Sequence, residues 1–159
     1  MAQPVTMVDP RQPRLGQGIT GAAALVGFLL EVPAVLPALA VILAAASLLG
    51  PRANPYAWLF RALRRTGAVG PPRELEEAAP PRFANTVGFV VLSLATLARY
   101  VFDLDWVAWA LGLLVAALAL LAAVTGLCVG CELYLWARRI ATGGRVRGRL
   151  VRPIERTAG

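Results

Sequence analysis

An all-α membrane protein with four transmembrane helices, arranged as two helical hairpins, is the fold class that this sequence predicts. Hydrophobic residues make up 58% of its 159 residues and charged residues only 16%, whereas soluble domains carry about 25% charged residues. The mean hydropathy is +0.64, and the apolar residues fall into long runs separated by arginine-rich segments. Residues 1–159 therefore form a single integral membrane domain, with no length left for a large soluble one.

The first long apolar run, residues 16–49, predicts two membrane spans joined by a tight turn. Its only charged residue is Glu31, which is followed closely by Pro33. About 20 helical residues cross the hydrocarbon core of a bilayer, so the run is too long for one span and long enough for two. Proline removes an amide donor and disfavours helix in the residue before it. We expect spans at about residues 14–31 and 33–50; one long kinked helix is the alternative.

A short helix at about residues 55–65 is predicted to lie on the cytoplasmic membrane surface. Asn54 can cap this helix, and Pro55 can occupy its first turn. Its apolar residues share one face and its arginines largely the other, a pattern typical of helices in the lipid headgroup region. A simple continuation of the second span is the alternative.

The segment that follows, residues 66–81, has the glycines, proline pairs and acidic cluster of a loop. The cluster contains Glu74, Glu76 and Glu77. We interpret these glutamates as a solvated charge run; a group of catalytic carboxylates is the less common alternative.

Two more spans complete the predicted bundle, at about residues 83–101 and 106–128. Small residues in the third span allow membrane helices to approach closely. After the fourth span, Tyr134 and Trp136 have the position of aromatic residues at a membrane interface. A glycine-rich basic tail, residues 141–159, follows on the cytoplasmic side.

The distribution of arginine predicts the orientation of the spans. All 16 basic residues are arginine: two precede the first span, six lie between the second and third spans, seven follow the fourth, and Arg99 alone lies at an outer link. Basic residues in short loops stay on the cytoplasmic side. We therefore expect a multi-pass protein of the plasma membrane with both termini in the cytoplasm and with Glu31 and Asp103 in the outer turns. The lipid bilayer thus accounts for the net charge of +7, and no nucleic-acid partner is needed.

The only two cysteines, Cys128 and Cys131, lie where the fourth span gives way to arginines, in "TGLCVGCELYLWARR". About 22 helical residues before them rise ~33 Å, which uses up the hydrocarbon thickness and places the pair at the cytoplasmic interface. Residues three apart on a helix share a face and lie within disulfide range. Arg138 and Arg139 raise the local positive potential, which favours the reactive thiolate. This pair is the candidate catalytic site.

Three interpretations of the cysteine pair stay open. Cysteine often packs as a small hydrophobe, whereas a dithiol can also cycle with a disulfide or carry sulfur. A metal needs three or four ligands, and without histidine a second chain or a carboxylate such as Glu132 would have to complete the set. We assign neither a metal nor a cofactor site.

Three stretches carry a family resemblance: "VDPRQPRLGQG" near the start, "PRFAN" before the third span and "GLCVGCELY" at the end of the fourth. They resemble the bacterial membrane family called domain of unknown function 4395, over nearly the whole chain, and the C-x-G-C element is the most specific part. The resemblance implies a small integral membrane protein without an established activity. It also implies thioredoxin-like or rhodanese-like proteins as candidate partners.

Two functions compete on this sequence. In the first, Cys128 and Cys131 exchange electrons or a sulfane sulfur with a cytoplasmic thioredoxin-like or rhodanese-like partner. In the second, the chain is a non-enzymatic membrane subunit, or a small-solute channel or carrier, alone or as an oligomer, in which the cysteines only pack. The sequence has no nucleotide-binding glycine loop and no Ser/His/Asp set, which favours the second. The scarcity of charge inside the spans disfavours a translocation path.

Overall fold

The computed structural model of the protein describes residues 6–48, 54–67, 69–72, 74–141 and 151–153. Six helices lie in these ranges: α1 (Arg11–Leu29), α2 (Val35–Leu48), α3 (Pro55–Arg65), α4 (Ala79–Tyr100), α5 (Asp105–Thr125) and α6 (Val129–Ala141). Three short strands accompany them: β1 (Met7–Val8), β2 (Glu74–Glu77) and β3 (Val151–Pro153). The helical fold class is therefore confirmed.

The four long helices pack as a bundle around a core of small side chains. Helix α1 packs against α5, α2 packs against α4, and α4 also packs against α5. Leu36 and Leu92 are fully buried where these helices meet. Most other core side chains are alanines, which let the helices approach closely: Ala24, Ala40, Ala46, Ala95, Ala98, Ala108 and Ala116.

Two of these helices, α4 and α5, are long and apolar enough to cross a membrane. Both present large apolar side chains outward, including Leu94 on α4 and Leu121 on α5. Helix α2 is apolar but has 14 residues, and the first turns of α1 hold arginine and glutamine. Membrane localisation is thus supported by two helices, and the count of four spans stays a prediction.

The two hairpin turns lie together at one end of the bundle, which we call the turn end. Residues 30–34 join α1 to α2, and residues 101–104 join α4 to α5. Each turn has one acidic residue with a positive φ, 53° at Glu31 and 52° at Asp103. The Arg99 guanidinium pairs with Asp105 at 2.7 Å and with Asp103 at 3.7 Å. The turn end is therefore short and closed by charge pairs.

The opposite end, which we call the cysteine end, holds α3, the strands and α6. Helix α3 covers the segment for which capping residues predict a helix: the Asn54 side chain accepts hydrogen bonds from the backbone N–H groups of Tyr56 and Ala57. The Tyr56 hydroxyl lies 2.5 Å from the Thr20 hydroxyl of α1. This contact fixes α3 against the bundle.

The structure contains a three-stranded antiparallel sheet. Its central strand, β2, lies in the segment that the sequence predicts to be a loop. Strand β2 is central, with β1 on one edge and β3 on the other. The pairing joins residues from the start, middle and end of the chain, so local composition does not reveal it. Of the predicted basic tail at 141–159, residues 142–150 and 154–159 lie outside the described residues, as do residues 49 and 50 of the second predicted span.

Helix α5 ends at Thr125, three residues before the end predicted for the fourth span. Gly126 has φ +77° and caps the helix in the left-handed conformation. That conformation costs little for glycine, and it turns the chain out of the helix axis. The cysteines consequently lie beyond the span, at the start of a separate helix.

Candidate functional site

Cys128 occupies the position just before the first residue of α6. Its carbonyl oxygen accepts a hydrogen bond from the Glu132 backbone N–H at 3.0 Å, and its Sγ accepts one from the Cys131 backbone N–H at 3.3 Å. The sulfur thus caps the helix, a position usually taken by the oxygen of Ser, Thr, Asp or Asn. The partial positive charge at a helix start favours an anion there.

Helix α6 is held against α4 and β2 by three contacts along its length. Near its start, the backbone of Gly130 lies so close to Ala84 that an added Cβ would come within 2.7 Å of the Ala84 Cβ. In its middle, the rings of Tyr134 and Phe83 have centroids 5.6 Å apart. Near its end, the Arg138 guanidinium pairs with Glu77 at 3.4 Å. The thiol pair is therefore fixed relative to the bundle.

Gln17 of α1 is a site residue that sequence reasoning missed. Its Nε2 donates a hydrogen bond to Cys128 Sγ at 3.3 Å. One signal was available, because Gln17 is an amide at the start of an otherwise apolar run. Its partner lies 111 residues further along the chain, and no local pattern indicates that pairing.

Hydrogen bonds lower the pKa of the Cys128 thiol to about 6. The largest cause is the hydrogen bond from the Cys131 thiol, and the backbone N–H groups of Cys131 and Gly130 and the Gln17 amide act in the same direction. Burial opposes them, because it disfavours the charged form. The lowered pKa favours the thiolate, the nucleophilic form of cysteine.

The pKa of Cys131 moves in the opposite direction. It is raised far above its usual range because its thiol donates to Cys128 and is partly buried, and because Cys128, Glu76 and Glu132 add negative charge nearby. The opposite directions of the two shifts favour a thiolate at Cys128 and a thiol at Cys131.

The arginines do not have the role expected of them. Arg138, expected to favour the thiolate, pairs with Glu77. The pKa of Cys128 is lowered by hydrogen bonds instead. Arg14 of α1 is the cation that reaches this turn, since a Cβ added to Gly126 would lie 2.5 Å from its Nη2.

Two cavities meet at Cys128. The first, which we call the polar cleft, has a volume of about 210 Å³ and is lined by both cysteines together with Arg14, Glu76, Glu77 and Glu132. The second, which we call the apolar cavity, has a volume of about 120 Å³ and lies between α1, α4 and α5. Cys128 and Gln17 line both. Cys128 thus lies between a polar and an apolar space.

The acidic cluster is only partly the solvated run that we expected. Glu76 and Glu77 line the polar cleft beside the cysteines, whereas Glu74 does not. Among the described residues, no group of three or more cysteine, aspartate or glutamate side chains is arranged to hold a metal ion.

The family resemblance is confirmed by comparison with known families. The family model described as "Domain of unknown function (DUF4395)" matches residues 8–139, which include the whole cysteine site. Neither a curated protein nor a solved structure matches the chain significantly.

Proposed function

We propose that this chain, which belongs to the family of domain of unknown function 4395, is an integral membrane thiol–disulfide exchange protein. One observation carries the proposal: Cys128 is a helix-capping sulfur with hydrogen bonds from Cys131 and Gln17, and it lines an accessible cleft. A packing cysteine needs none of these features. Cys128 is the nucleophile and Cys131 the resolving thiol.

The exchange proceeds through a mixed disulfide. The Cys128 thiolate attacks a disulfide of the partner, so that a new S–S bond forms and the partner's second sulfur leaves as a thiolate. Cys131 then loses its proton to solvent in the polar cleft and attacks Cys128 Sγ. The Cys128–Cys131 disulfide forms, and the partner leaves with both of its sulfurs reduced. Each cycle moves two electrons, and the reverse sequence oxidises the partner.

The opposite shifts of the two pKa values suit this order of events. While Cys128 is charged, it keeps Cys131 protonated, since the thiol donates to it and a second anion nearby is disfavoured. Once Cys128 is bound in a mixed disulfide, its charge is gone and Cys131 ionises more easily. The resolving step thus follows the attacking step.

A cytoplasmic thioredoxin-like protein is the partner class that we favour, and a rhodanese-like sulfur donor is the alternative. Both present a reactive sulfur on a protein surface, which the polar cleft beside Cys128 could accept. With a rhodanese-like donor, Cys128 would take the terminal sulfur of a persulfide, and Cys131 would release it as a sulfide by forming the disulfide.

The membrane arrangement that fits this function has four spans, α1, α2, α4 and α5, with the cysteine end in the cytoplasm. Arginine is concentrated around that end, while the turn end has Arg99 paired to aspartates. Reporter fusions after Gly70 and Gly159 should report the cytoplasm, and a fusion at Asp103 should report the outside. An outside signal after Gly70 would contradict the arrangement.

Trapping of the mixed disulfide tests the proposed chemistry. In Cys131→Ser the resolving thiol is missing, so Cys128 should accumulate a disulfide with its partner that a reductant releases. In inverted membrane vesicles an impermeant alkylating reagent should label the wild-type pair, and mild oxidation should remove the labelling. In intact cells the same reagent should label the two cysteines poorly.

Cys128→Ser is the matched control, since it retains one thiol at nearly the same place. It should trap far less partner, because the remaining thiol lacks the helix-capping position and the Gln17 hydrogen bond that favour a thiolate at Cys128. Equal trapping by the two single variants, or labelling that oxidation does not change, would refute the exchange function. The second result would favour a subunit or carrier with packing cysteines.

A further inference from the structure

The apolar cavity beside Cys128 has no role in exchange with a protein partner. Its volume of about 120 Å³ is too small for a polypeptide surface, and its walls are mainly aliphatic, with Val91 on α4 and Leu114 and Leu118 on α5. These two helices are the ones long and apolar enough to cross a membrane. The cavity therefore suits a small ligand dissolved in the hydrocarbon phase.

The shape and the few polar groups of the cavity limit the class of ligand. A dry cavity of about 150 Å³ accepts a whole benzene ring. This cavity of about 120 Å³ is open on one side, so it accepts the edge of a larger six-membered ring whose other substituents stay outside it. The amides of Gln17 and Asn85 line it together with Cys128. An amide N–H can donate to a carbonyl oxygen, and Gln17 has a second N–H besides the one bonded to Cys128 Sγ.

We propose that the apolar cavity binds the ring of a lipid-soluble quinone, which oxidises the Cys128–Cys131 pair. This inference rests on the proposed exchange function, and it names the electron acceptor for that site. A dithiol gives up two electrons when it forms a disulfide, and a quinone accepts two. Cys128 is the cysteine shared by the two cavities, so electrons that enter from the polar cleft leave on the apolar side.

The step balances in atoms and electrons. The Cys128 thiolate adds to a ring carbon, an S–C bond forms, and the negative charge passes to a quinone oxygen. Cys131 transfers its proton to that oxygen and attacks Cys128 Sγ, so that the S–S bond forms and the S–C bond breaks. The electron pair of the broken bond stays on the ring, and one proton from solvent completes the quinol. One thiolate, one thiol, one quinone and one proton thus give one disulfide and one quinol.

Decylubiquinone is the probe, added without oxygen to the full chain reduced in lipid nanodiscs. The loss of its ultraviolet absorbance and the loss of two alkylatable thiols per chain should occur together. Ala119 lines the cavity, so Ala119→Phe should slow quinone reduction by about tenfold or more, which corresponds to a loss of at least ~1.4 kcal/mol of binding or activation free energy. Ala119→Leu serves as a milder second variant.

Ala117→Phe is the matched control, because Ala117 is exposed on the same helix outside the cavity. It should reduce quinone like the wild type. Glutathione disulfide reaches Cys128 from the polar cleft, so the rate of thiol exchange with it should be equal in all variants. Equal rates would show that the thiol pair is intact in each variant.

Two results would overturn the inference and leave the exchange function standing. One is glutathione exchange by the wild type without quinone reduction; the other is equal quinone reduction by Ala119→Phe and Ala117→Phe. A wild type that does neither reaction would refute the exchange function itself.

Discussion

The two ends of the bundle contrast in how much chain they use and in what that chain holds. At the turn end, two short connections return the chain directly, each with one acidic residue at positive φ, Glu31 and Asp103. At the cysteine end, the chain adds α3, a three-stranded sheet and α6 before and after the bundle helices. Two of these added elements, β2 and α6, line the cleft that contains the pair of thiols.

The contrast lies in the range of the polar side-chain contacts at the two ends. Arg99 at the turn end pairs with aspartates of its own hairpin, over four and six positions. At the cysteine end, Gln17 and Arg138 bind partners on distant elements. Local pairs close a turn, whereas long-range pairs join the cysteine segment to the rest of the fold. The four predictions below are ordered from the largest expected effect to the smallest.

Substitution of Gly126 should give the largest loss. Gly126→Val puts a β-branched residue at φ +77° and should cost about 2 kcal/mol in the free energy of unfolding. It should also displace Arg14 and change the alkylation rate of Cys128. Thermal unfolding in detergent and timed alkylation measure both effects.

Gly67→Val is the matched control, since Gly67 has the same φ of +77° with no atom near its missing side chain. It should lose a similar free energy of unfolding and leave the alkylation of Cys128 unchanged. If both variants change the alkylation rate alike, the Arg14 contact has no part in the site.

The pH dependence of alkylation should distinguish the capping sulfur from an ordinary thiol. The thiolate fraction rises as pH passes the pKa, so the rate for Cys128 should reach half its maximum near pH 6 and level off above it. Gln17→Ala removes one hydrogen-bond donor to the thiolate, so the pH at which alkylation is half-maximal should rise by about one unit.

Cys131→Ala should raise the pH of half-maximal Cys128 alkylation more than Gln17→Ala does, because the hydrogen bond from the Cys131 thiol is the largest cause of the lowered Cys128 pKa. A half-maximum near the usual cysteine value in the wild type would show that the helix start and its donors do not act on Cys128.

At the turn end, loss of the arginine pair should affect stability alone. Arg99→Gln breaks the contacts with Asp105 and Asp103 and should cost less than about 1 kcal/mol, since these groups are partly exposed. High salt should reduce the difference from the wild type, because it screens the pair in the wild type. A changed alkylation rate for Cys128 would mean that the two ends are coupled.

The smallest effect is expected at Glu31. Glu31→Gly relieves a non-glycine residue at φ 53° and should raise the free energy of unfolding by about 0.5 kcal/mol. Glu31→Ala retains the Cβ and should give no gain. Thermal unfolding of the two variants side by side decides whether backbone strain at this turn limits stability.

The sequence predicted the helices of the bundle well, because an apolar run of about 20 residues or more is compatible with few structures other than a helix. It predicted the wrong helix end at the cysteines, because glycine is common inside membrane helices and Gly126 has no local sign of its positive φ. It also missed β2, whose partners β1 and β3 are distant in sequence. Cys128 and Cys131 were found by spacing, but the donor Gln17 was not, because only packing of α1 against α5 brings it there.

The hydrogen bond from Gln17 to Cys128 also orders the events of biogenesis. It joins the first helix to a residue 111 positions later, so it forms only after the last bundle helix, α5, has been synthesised and has packed against α1. Until then the sulfur lacks this donor, and the Arg14 guanidinium has no Gly126 turn to pack against. In a nascent or unassembled chain, Cys128 therefore has neither its Gln17 donor nor the Arg14 neighbour.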